Sequence, residues 1–391
     1  MFAPLRSLNR LRPSASPAVL GTVAVDSVIF AATPFLLGPV AERHGVSVGA
    51  SGLVSVAQLG AFAAASVVVP RLVGASRQLL DRALVVLALA NVASAFAPSF
   101  GLLVGLRLIA GVAMGVLTWI AWADAARDER SFGDVAAAGP VAAAIAAPVL
   151  GVAAAWGGMG TVYLALAAVA AAGWALPGDV AATSPPVRGG QRSGLGGGLA
   201  HRTADRSSSR SAVVVLAALA VFTLASSSLF LYTGVIASDA GLTPLVVSIG
   251  FSLSSLAGVP ATRLRLGGAG WWIASIALAA TAVSVGASAP LFLAGMTWWG
   301  VAYWIGVPAA MRHLVARSED PATTVGATQG AMAAGRAIGP AAGGVLIGAG
   351  SPIVLGLVAA ATIAACGVTI AAADLVSVRR AAAAEVTALA A

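Results

Sequence analysis

The charged side chains inside long apolar stretches are the residues of this sequence best suited to chemistry. Asp26 is the acidic residue that lies deepest in such a stretch. Ionising a carboxylate in hydrocarbon is costly, and ionisable groups in such places carry function by default. We therefore expect Asp26 to gain and lose a proton as the protein works. The alternative is a permanent partner for a buried arginine.

Two arginines, Arg107 and Arg336, also lie inside apolar stretches. At 1.5 Å per residue, Asp26 and Arg107 differ in depth by roughly 10 Å. Extended side chains could bridge that distance in one conformational state, which would couple protonation to a change of conformation; a structural ion pair is the alternative. Arg336 has no acidic partner in the sequence. It is expected to contact either an anionic substrate or carbonyl and water partners.

Aromatic and amide side chains in the same stretches are candidates for the wall of a binding cavity. Aromatic walls suit hydrophobic or planar ligands, and packing between helices or against lipid is the alternative for each residue. An aromatic cluster that includes Tyr303 and Trp304 falls in the stretch 290–311. The predicted substrate-binding side chains, besides Arg336, are Trp119, Trp298, Trp299, Tyr232, Gln58 and Gln329.

The elements that position these residues are predicted to be membrane-spanning helices. The chain has 391 residues, of which 59% are hydrophobic and 9% charged, against about a quarter charged in soluble domains. The apolar runs are long enough to cross a bilayer and lack the alternation of strands. Twelve spans are predicted, at 18–40, 50–69, 83–98, 100–122, 135–155, 159–177, 212–236, 244–262, 270–288, 290–311, 323–349 and 352–376.

The arginines between these spans predict the topology. Nineteen fall in segments on the side of the N-terminus, and Arg43 alone falls on the other side. Positive residues concentrate in cytoplasmic loops, so both termini are expected in the cytoplasm. The net charge of +8 then reflects topology and not nucleic-acid binding. The absence of lysine is typical of a GC-rich genome. From the spans and the arginine distribution, we expect a multi-pass protein of a bacterial plasma membrane.

Two similar halves are indicated by the order of their motifs. A Gly-, Ser- and Pro-rich linker at 178–211 separates residues 1–177 from residues 212–391. Gly139-Pro140 in the first half corresponds to Gly339-Pro340 in the second. The same order in the same topology predicts a parallel repeat. The predicted fold is all-α, with twelve transmembrane helices in two pseudo-symmetric six-helix bundles.

The chain resembles the twelve-helix form of the major facilitator superfamily. The segment GLRLIAGVAMG places Arg107 and Gly111 like that superfamily's R-x-x-x-G motif. The segment GATQGAMAAGRAIGPAAGG, from Gly326, resembles a motif of drug/proton antiporters. In the antiporters that motif lies in the fifth helix, whereas here it lies in the eleventh. The loop PRLVGASRQLLDR also departs from the family pattern, since Gly74 stands at an acidic position.

The resemblance implies a secondary active transporter that works by alternating access. Proton-coupled efflux of small hydrophobic or amphipathic molecules is the first hypothesis, with Asp26 and Arg107 in proton coupling. The alternatives are uptake or exchange of an anionic metabolite through Arg107 and Arg336, and a non-transporting receptor or assembly subunit. A monomer without cofactor, metal site, nucleic-acid partner or catalytic residues is expected. The predicted helix-packing residues are Gly139, Pro140, Gly335, Gly339, Pro340, Gly343 and Gly344.

Overall fold

A computed structural model describes most of the chain, and every regular element in the described part is a helix. Residues 181–201, which form most of the predicted linker, are outside it. The described residues are 13–125, 129–180, 202–261, 264, 266–285, 288–315, 321–349 and 351–390.

The described residues of the first half of the chain form six α-helices and one short 3-10 turn. The turn, at Val69–Arg71, follows the third helix. The helices are α1 (Pro17–His44), α2 (Val48–Ser51), α3 (Leu53–Val68), α4 (Arg77–Ala95), α5 (Phe100–Ala125) and α6 (Glu129–Trp174).

Local sequence signals explain where these helices begin and end. The Ser16 hydroxyl accepts a hydrogen bond from the Val19 amide at the start of α1, and Pro17 takes the first helical position. Gly45 ends α1 in the left-handed conformation, with φ of 63°. Gly158, with φ of 59°, breaks α6 into two helical segments. That break falls between the predicted spans 135–155 and 159–177.

Six helices are likewise described in the second half. They are α7 (Arg202–Asp239), α8 (Pro244–Ala261), α9 (Ala269–Val285), α10 (Ala289–Val315), α11 (Pro321–Ala349) and α12 (Pro352–Ala390).

Helix packing divides the chain into two compact units. The first comprises residues 1–187 and 247–256, and the second comprises 188–246 and 257–391. In the first unit, α1 and α4 pack on α6, and α3 packs on α5. In the second unit, α11 and α12 pack on α7, and α9 packs on α10 and α12. Each unit therefore has its own packed helical core.

Nine helices among the described residues are long and apolar enough to cross a membrane, and Ala269–Val285 is a shorter apolar helix. The prediction of an all-helical, multi-pass membrane protein is confirmed for this part of the chain. The count of twelve spans, the two six-helix bundles and the domain boundaries stay predictions.

Candidate functional site

Asp26 is the tenth of the 28 residues of α1 and is buried, with 4% of its surface exposed. Its Oδ2 accepts a hydrogen bond of 2.5 Å from the Thr118 hydroxyl of α5. Its Oδ1 is buried and has no hydrogen-bond partner in the described part of the chain. One carboxylate oxygen is therefore held in place, while the other is left to bind a proton or another group.

Arg107 lies on α5 and is completely buried. Its guanidinium donates hydrogen bonds to the Asn91 side-chain oxygen at 2.9 Å, to the Ala90 carbonyl at 3.0 Å and to the Ser94 hydroxyl at 2.5 Å. The Tyr163 ring lies 4.6 Å from the guanidinium carbon, a cation–π distance. The partners of Arg107 are thus neutral groups of α4 and α6.

Asp26 and Arg107 are not paired in this structure. Asp26 lies level with Thr118, which follows Arg107 by eleven residues on the same helix. Eleven helical residues span about 16 Å, more than the separation expected from the sequence. The contact that extended side chains could have made is absent between these two described residues, and Arg107 has its partners on α4 and α6 instead.

Arg107 lines a small cavity within the first unit, together with Gln58 of α3. The Gln58 amide donates to the sulfur of Met114 at 3.3 Å and is 7% exposed. Gln58 is therefore among the residues that line this cavity, and its contact with a substrate stays a prediction. The other lining residues are Ile29, Thr33, Leu36, Leu37, Val40, Ser51, Val54, Ser55 and Leu166.

Arg336 has an aromatic environment in the second unit. Its Nη2 donates to the Tyr303 hydroxyl at 2.8 Å. The Tyr303 ring lies 6.1 Å from the Phe222 ring and packs edge-on against Trp304 at 5.6 Å. The sequence placed Tyr303 in an aromatic cluster without any link to Arg336. Only the fold brings α10 and α11 together at this point.

The predicted cavity tryptophans have different environments. Trp298 is 40% exposed, donates to the Ser275 hydroxyl at 3.2 Å and stacks beside Trp272 at 6.0 Å. Its contacts are therefore with the neighbouring helix α9. Trp299 is buried, and Trp119 is half-buried one residue beyond Thr118. Substrate contact stays a prediction for all three tryptophans.

Tyr232 packs inside the second unit. It is fully buried, and its hydroxyl donates to the Pro340 carbonyl at 3.2 Å. This contact gives Tyr232 a role in holding α7 against α11, which is the packing alternative of the sequence analysis. The Gln329 side chain lies outside the described residues.

Gly335, Gly339 and Gly343 form a stripe along α11 where it meets α7. A Cβ at Gly339 would lie 2.6 Å from the Leu224 carbonyl oxygen, and one at Gly343 would lie 2.8 Å from the Tyr232 ring. A Cβ at Gly335 would come even closer to a backbone carbonyl of α7. Only glycine permits this approach, as in other close helix pairs in membranes.

The first unit contains a smaller version of this contact. A Cβ at Gly139 of α6 would lie 2.7 Å from the Ser27 hydroxyl of α1. Pro140, like Gly344 in α11, is buried. The packing role predicted for the Gly-Pro pairs therefore has a direct geometric basis at Gly139 and Gly339.

Arg77 has a role that the sequence analysis missed. At the start of α4 it binds Asp81 at 2.9 Å and donates to the carbonyls of Gly178 at 2.8 Å and Leu176 at 3.0 Å. A weaker bond of 3.3 Å reaches the Trp174 carbonyl at the end of α6. The Arg-x-x-x-Asp spacing was the available signal, because it pairs side chains on one helix face.

Several solved structures are similar to this chain over nine-tenths of its length. The human organic anion transporter MFSD10 (TETRAN) matches with a TM-score of 0.62 and 16% identity, over 90% of this chain and 98% of its own. A POT family transporter in complex with a thioalcohol-conjugated peptide matches with a TM-score of 0.68 and 10% identity, over 90% and 94%. A POT family transporter in complex with 5-aminolevulinic acid matches with a TM-score of 0.67 and 8% identity, over the same shares.

Neither a protein-family model nor a curated protein matches the chain. The prediction of a transporter fold is confirmed by the solved structures, whereas the drug/proton antiporter branch stays a prediction. At these identities the likeness concerns the fold. The chain therefore has, over nine-tenths of its length, the helical fold of solved membrane transporters.

Proposed function

We propose that this chain is a secondary active transporter that works by alternating access and couples proton entry to the export of small hydrophobic or amphipathic molecules. The observation that carries the proposal is the buried carboxyl of Asp26. It lies in a membrane-spanning helix of a transporter fold and has no cationic partner among the described residues.

The geometry of Asp26 suits reversible protonation. A buried carboxylate with no ion-pair partner is costly, and binding a proton removes that cost. The Thr118 hydroxyl holds Oδ2, which leaves Oδ1 to receive the proton. In the proposed cycle, Asp26 takes a proton from the outer side and releases it to the inner side as the exporter resets. The export direction follows from the resemblance of the Gly-Pro segment of α11 to antiporter motifs.

Proton movement in reconstituted vesicles tests this function. The purified protein is placed in liposomes that contain a pH-sensitive dye, and a panel of cationic, neutral and anionic compounds is added. We expect some compounds to drive proton movement with the natural protein and none to do so with Asp26→Asn. Unaltered proton movement in folded Asp26→Asn would overturn the proposal.

Glu42→Gln is the matched control, since Glu42 lies on the same helix and is exposed. It makes the same chemical change outside the buried site and should leave proton movement intact. If no compound drives proton movement or crosses the membrane with the natural protein, the result favours a non-transporting receptor or assembly subunit.

A second candidate, transport of an organic anion, is favoured by Arg336. Its guanidinium is half-buried, and the one hydrogen bond described for it uses Nη2. A planar guanidinium can bind a carboxylate through two parallel bonds, and the Phe222, Tyr303 and Trp304 rings could contact an apolar part of the same molecule. The solved human neighbour is described as an organic anion transporter.

Matched substrate pairs separate the two candidates. Each pair consists of an aromatic carboxylate and its neutral amide, which have nearly the same shape. Preferential transport of the carboxylate, lost in Arg336→Gln, supports the anion candidate. Equal transport of both members, retained in Arg336→Gln, supports the hydrophobic or amphipathic candidate.

A further inference from the structure

We propose that Arg107 binds a monatomic anion, chloride in the cell, in the small cavity of the first unit. The proposal does not depend on the transported substrate or on proton coupling. It follows from the charge of a buried group, from unpaired hydrogen-bond donors around that group, and from the size of the cavity that it lines.

Arg107 carries a buried positive charge that no described carboxylate balances. Arg107 is completely buried, and an arginine side chain stays protonated in proteins. No carboxylate among the described residues forms an ion pair with it, and its hydrogen bonds go to an amide, a hydroxyl and a backbone carbonyl. Asp26, the other deeply buried charge of this unit, binds Thr118 at another level of α5. A buried charge without a counter-charge is strongly unfavourable, so an anion beside Arg107 would stabilise the unit.

Several buried polar atoms at and near Arg107 have no hydrogen-bond partner in the described part of the chain. Arg107 uses three of its five N–H groups, and its buried Nε has no partner. The Asn91 side-chain nitrogen and the Ser55 hydroxyl are also buried and without a hydrogen-bond partner in the described part of the chain. Buried polar groups are normally paired. Arg107 Nε, like the Asn91 nitrogen, can only donate, so its missing partner must be an acceptor, such as an anion. Asn91 itself contacts the guanidinium and is not among the residues that line the cavity.

The cavity beside Arg107 is small. Arg107 and Ser55 line the same cavity, whose volume of about 10 Å³ has room for one particle of about the size of a water molecule. A chloride ion is a single atom somewhat larger than a water molecule, so the cavity would have to widen slightly to hold it, whereas a carboxylate substrate, sulfate or gluconate is several times too large. The remaining wall is largely aliphatic, with Leu36, Leu37 and Val40 among its residues. Such a wall offers little to a cation and strengthens the attraction between Arg107 and an anion.

Thermal unfolding in detergent provides the first test. The melting temperature of the purified protein is measured in chloride, bromide, gluconate and sulfate at equal ionic strength. We expect chloride and bromide to raise it by several degrees in a saturable manner. Gluconate should leave it unchanged, and sulfate should give only the gradual, non-saturable rise of an excluded salt. The same melting temperature in chloride and gluconate would overturn the proposal and assign the cavity to a water molecule.

Bromide locates the ion directly. Crystals soaked in bromide should give an anomalous difference peak in the cavity beside Arg107 and Ser55. Absence of a peak there, in crystals that show bromide at other positions, would contradict the proposal.

Two substitutions on α4 provide a matched pair. Asn91→Asp puts a carboxylate of nearly the same shape beside the guanidinium and supplies the missing charge from the chain. We expect this variant to fold and to lose the chloride-dependent rise in melting temperature. Gln78→Glu makes the same amide-to-carboxylate change at an exposed position of α4, and it should keep the full chloride effect. Full chloride dependence in Asn91→Asp, or equal loss in Gln78→Glu, would sink the proposal.

Ser55→Ala keeps the test decisive if Asn91→Asp does not fold. It removes one donor and leaves Arg107 and its hydrogen bonds in place. We expect the chloride concentration for half-maximal stabilisation to rise several-fold. An unchanged half-maximal concentration would contradict the role of Ser55 in the site. Since melting is measured without transport, these results are independent of the Asp26 experiments.

Discussion

Ser27 and Ser227 have equivalent positions in the two halves of the chain. The Ser27 hydroxyl of α1 lies against Gly139 of α6, and the Ser227 hydroxyl of α7 lies against Gly339 of α11. Both glycines precede a proline. The two serines are 200 residues apart in the sequence, and so are the two glycines. The repeat that the sequence shows only weakly is therefore expressed as one recurring helix contact.

Gly339→Ala should destabilise the protein, because the α11 backbone lies too close to α7 for a methyl group. The added carbon would meet both the Ser227 hydroxyl and the Leu224 carbonyl, the latter at 2.6 Å. A side-chain hydroxyl can turn away, but a helix carbonyl cannot. Overpacking of this kind costs about 1–3 kcal/mol. A clear fall in the melting temperature of the detergent-solubilised protein is expected.

Gly348→Ala is the control for this substitution. Gly348 lies on the same helix, and an added Cβ there would meet nothing within 4 Å. Alanine also favours helix over glycine, so the melting temperature should stay the same or rise. Equal destabilisation by both substitutions would show that the close contact between α11 and α7 is not the cause.

The same register shows that Asp26 has no acidic counterpart in the second half. The serine pair 27 and 227 is preceded by Asp26 in the first half and by Ser226 in the second. A carboxylate inside an apolar run is visible in a single sequence, because its cost in hydrocarbon does not depend on the neighbouring helices. Its partner Thr118 was not visible, because a threonine in an apolar run is unremarkable until α1 and α5 are packed together.

Thr118→Val should weaken proton-driven transport while leaving the protein folded. Valine keeps the shape of threonine but removes the hydroxyl that binds Asp26. Hydrogen bonds between membrane helices contribute about 1 kcal/mol, which corresponds to roughly a fivefold effect on rate or affinity. The measurement is the initial rate of proton movement in proteoliposomes at a fixed pH gradient.

Thr118→Ser separates a positioning role from simple packing. Serine retains the hydroxyl and loses the methyl group, so transport should return close to that of the natural protein. If serine is as slow as valine, the methyl group and not the hydrogen bond is what matters.

The sequence shows which arginines lie in apolar runs, but it does not show what these arginines contact. Arg107 and Arg336 stood out as charges in apolar runs, as Asp26 did. Their partners could not be read from the sequence, because a guanidinium can be satisfied by any nearby carbonyl, hydroxyl or ring. The structure gives Arg107 the neutral groups of α4 and α6, and it gives Arg336 the hydroxyl of Tyr303.

Tyr303→Phe should reduce the affinity for organic anions if Arg336 binds them. The substitution removes the hydroxyl that holds Nη2 of Arg336 at 2.8 Å and keeps the ring beside Phe222. Loss of one hydrogen bond of about 1 kcal/mol predicts roughly a fivefold loss of affinity. Competition between a labelled aromatic carboxylate and unlabelled analogues measures the change.

Arg312→Gln is the charge control for this experiment. Arg312 lies on the same helix as Tyr303 and is exposed, so its loss changes the net charge without touching the aromatic site. Anion affinity should be unchanged. An equal loss of affinity in Arg312→Gln would indicate a general electrostatic effect and remove the argument for Arg336.

Arg77 is the residue for which we expect the largest effect among the substitutions at the helix ends. Its guanidinium binds the Leu176 and Gly178 carbonyls, which lie just beyond the end of α6 at Trp174, and so ties this segment to the start of α4. The partly exposed ion pair with Asp81 adds little, whereas hydrogen bonds from a charged donor contribute about 1.5–3 kcal/mol. Arg77→Ala should therefore lower the melting temperature clearly.

Arg77→Lys should have a melting temperature between those of the alanine variant and the natural protein, because an ammonium group lacks the planar fork that spans several carbonyls. The exposed Arg71 lies in the same loop region, and Arg71→Ala should melt like the natural protein. If lysine restores full stability, the positive charge at the end of α6 is sufficient and the geometry of the fork is not required.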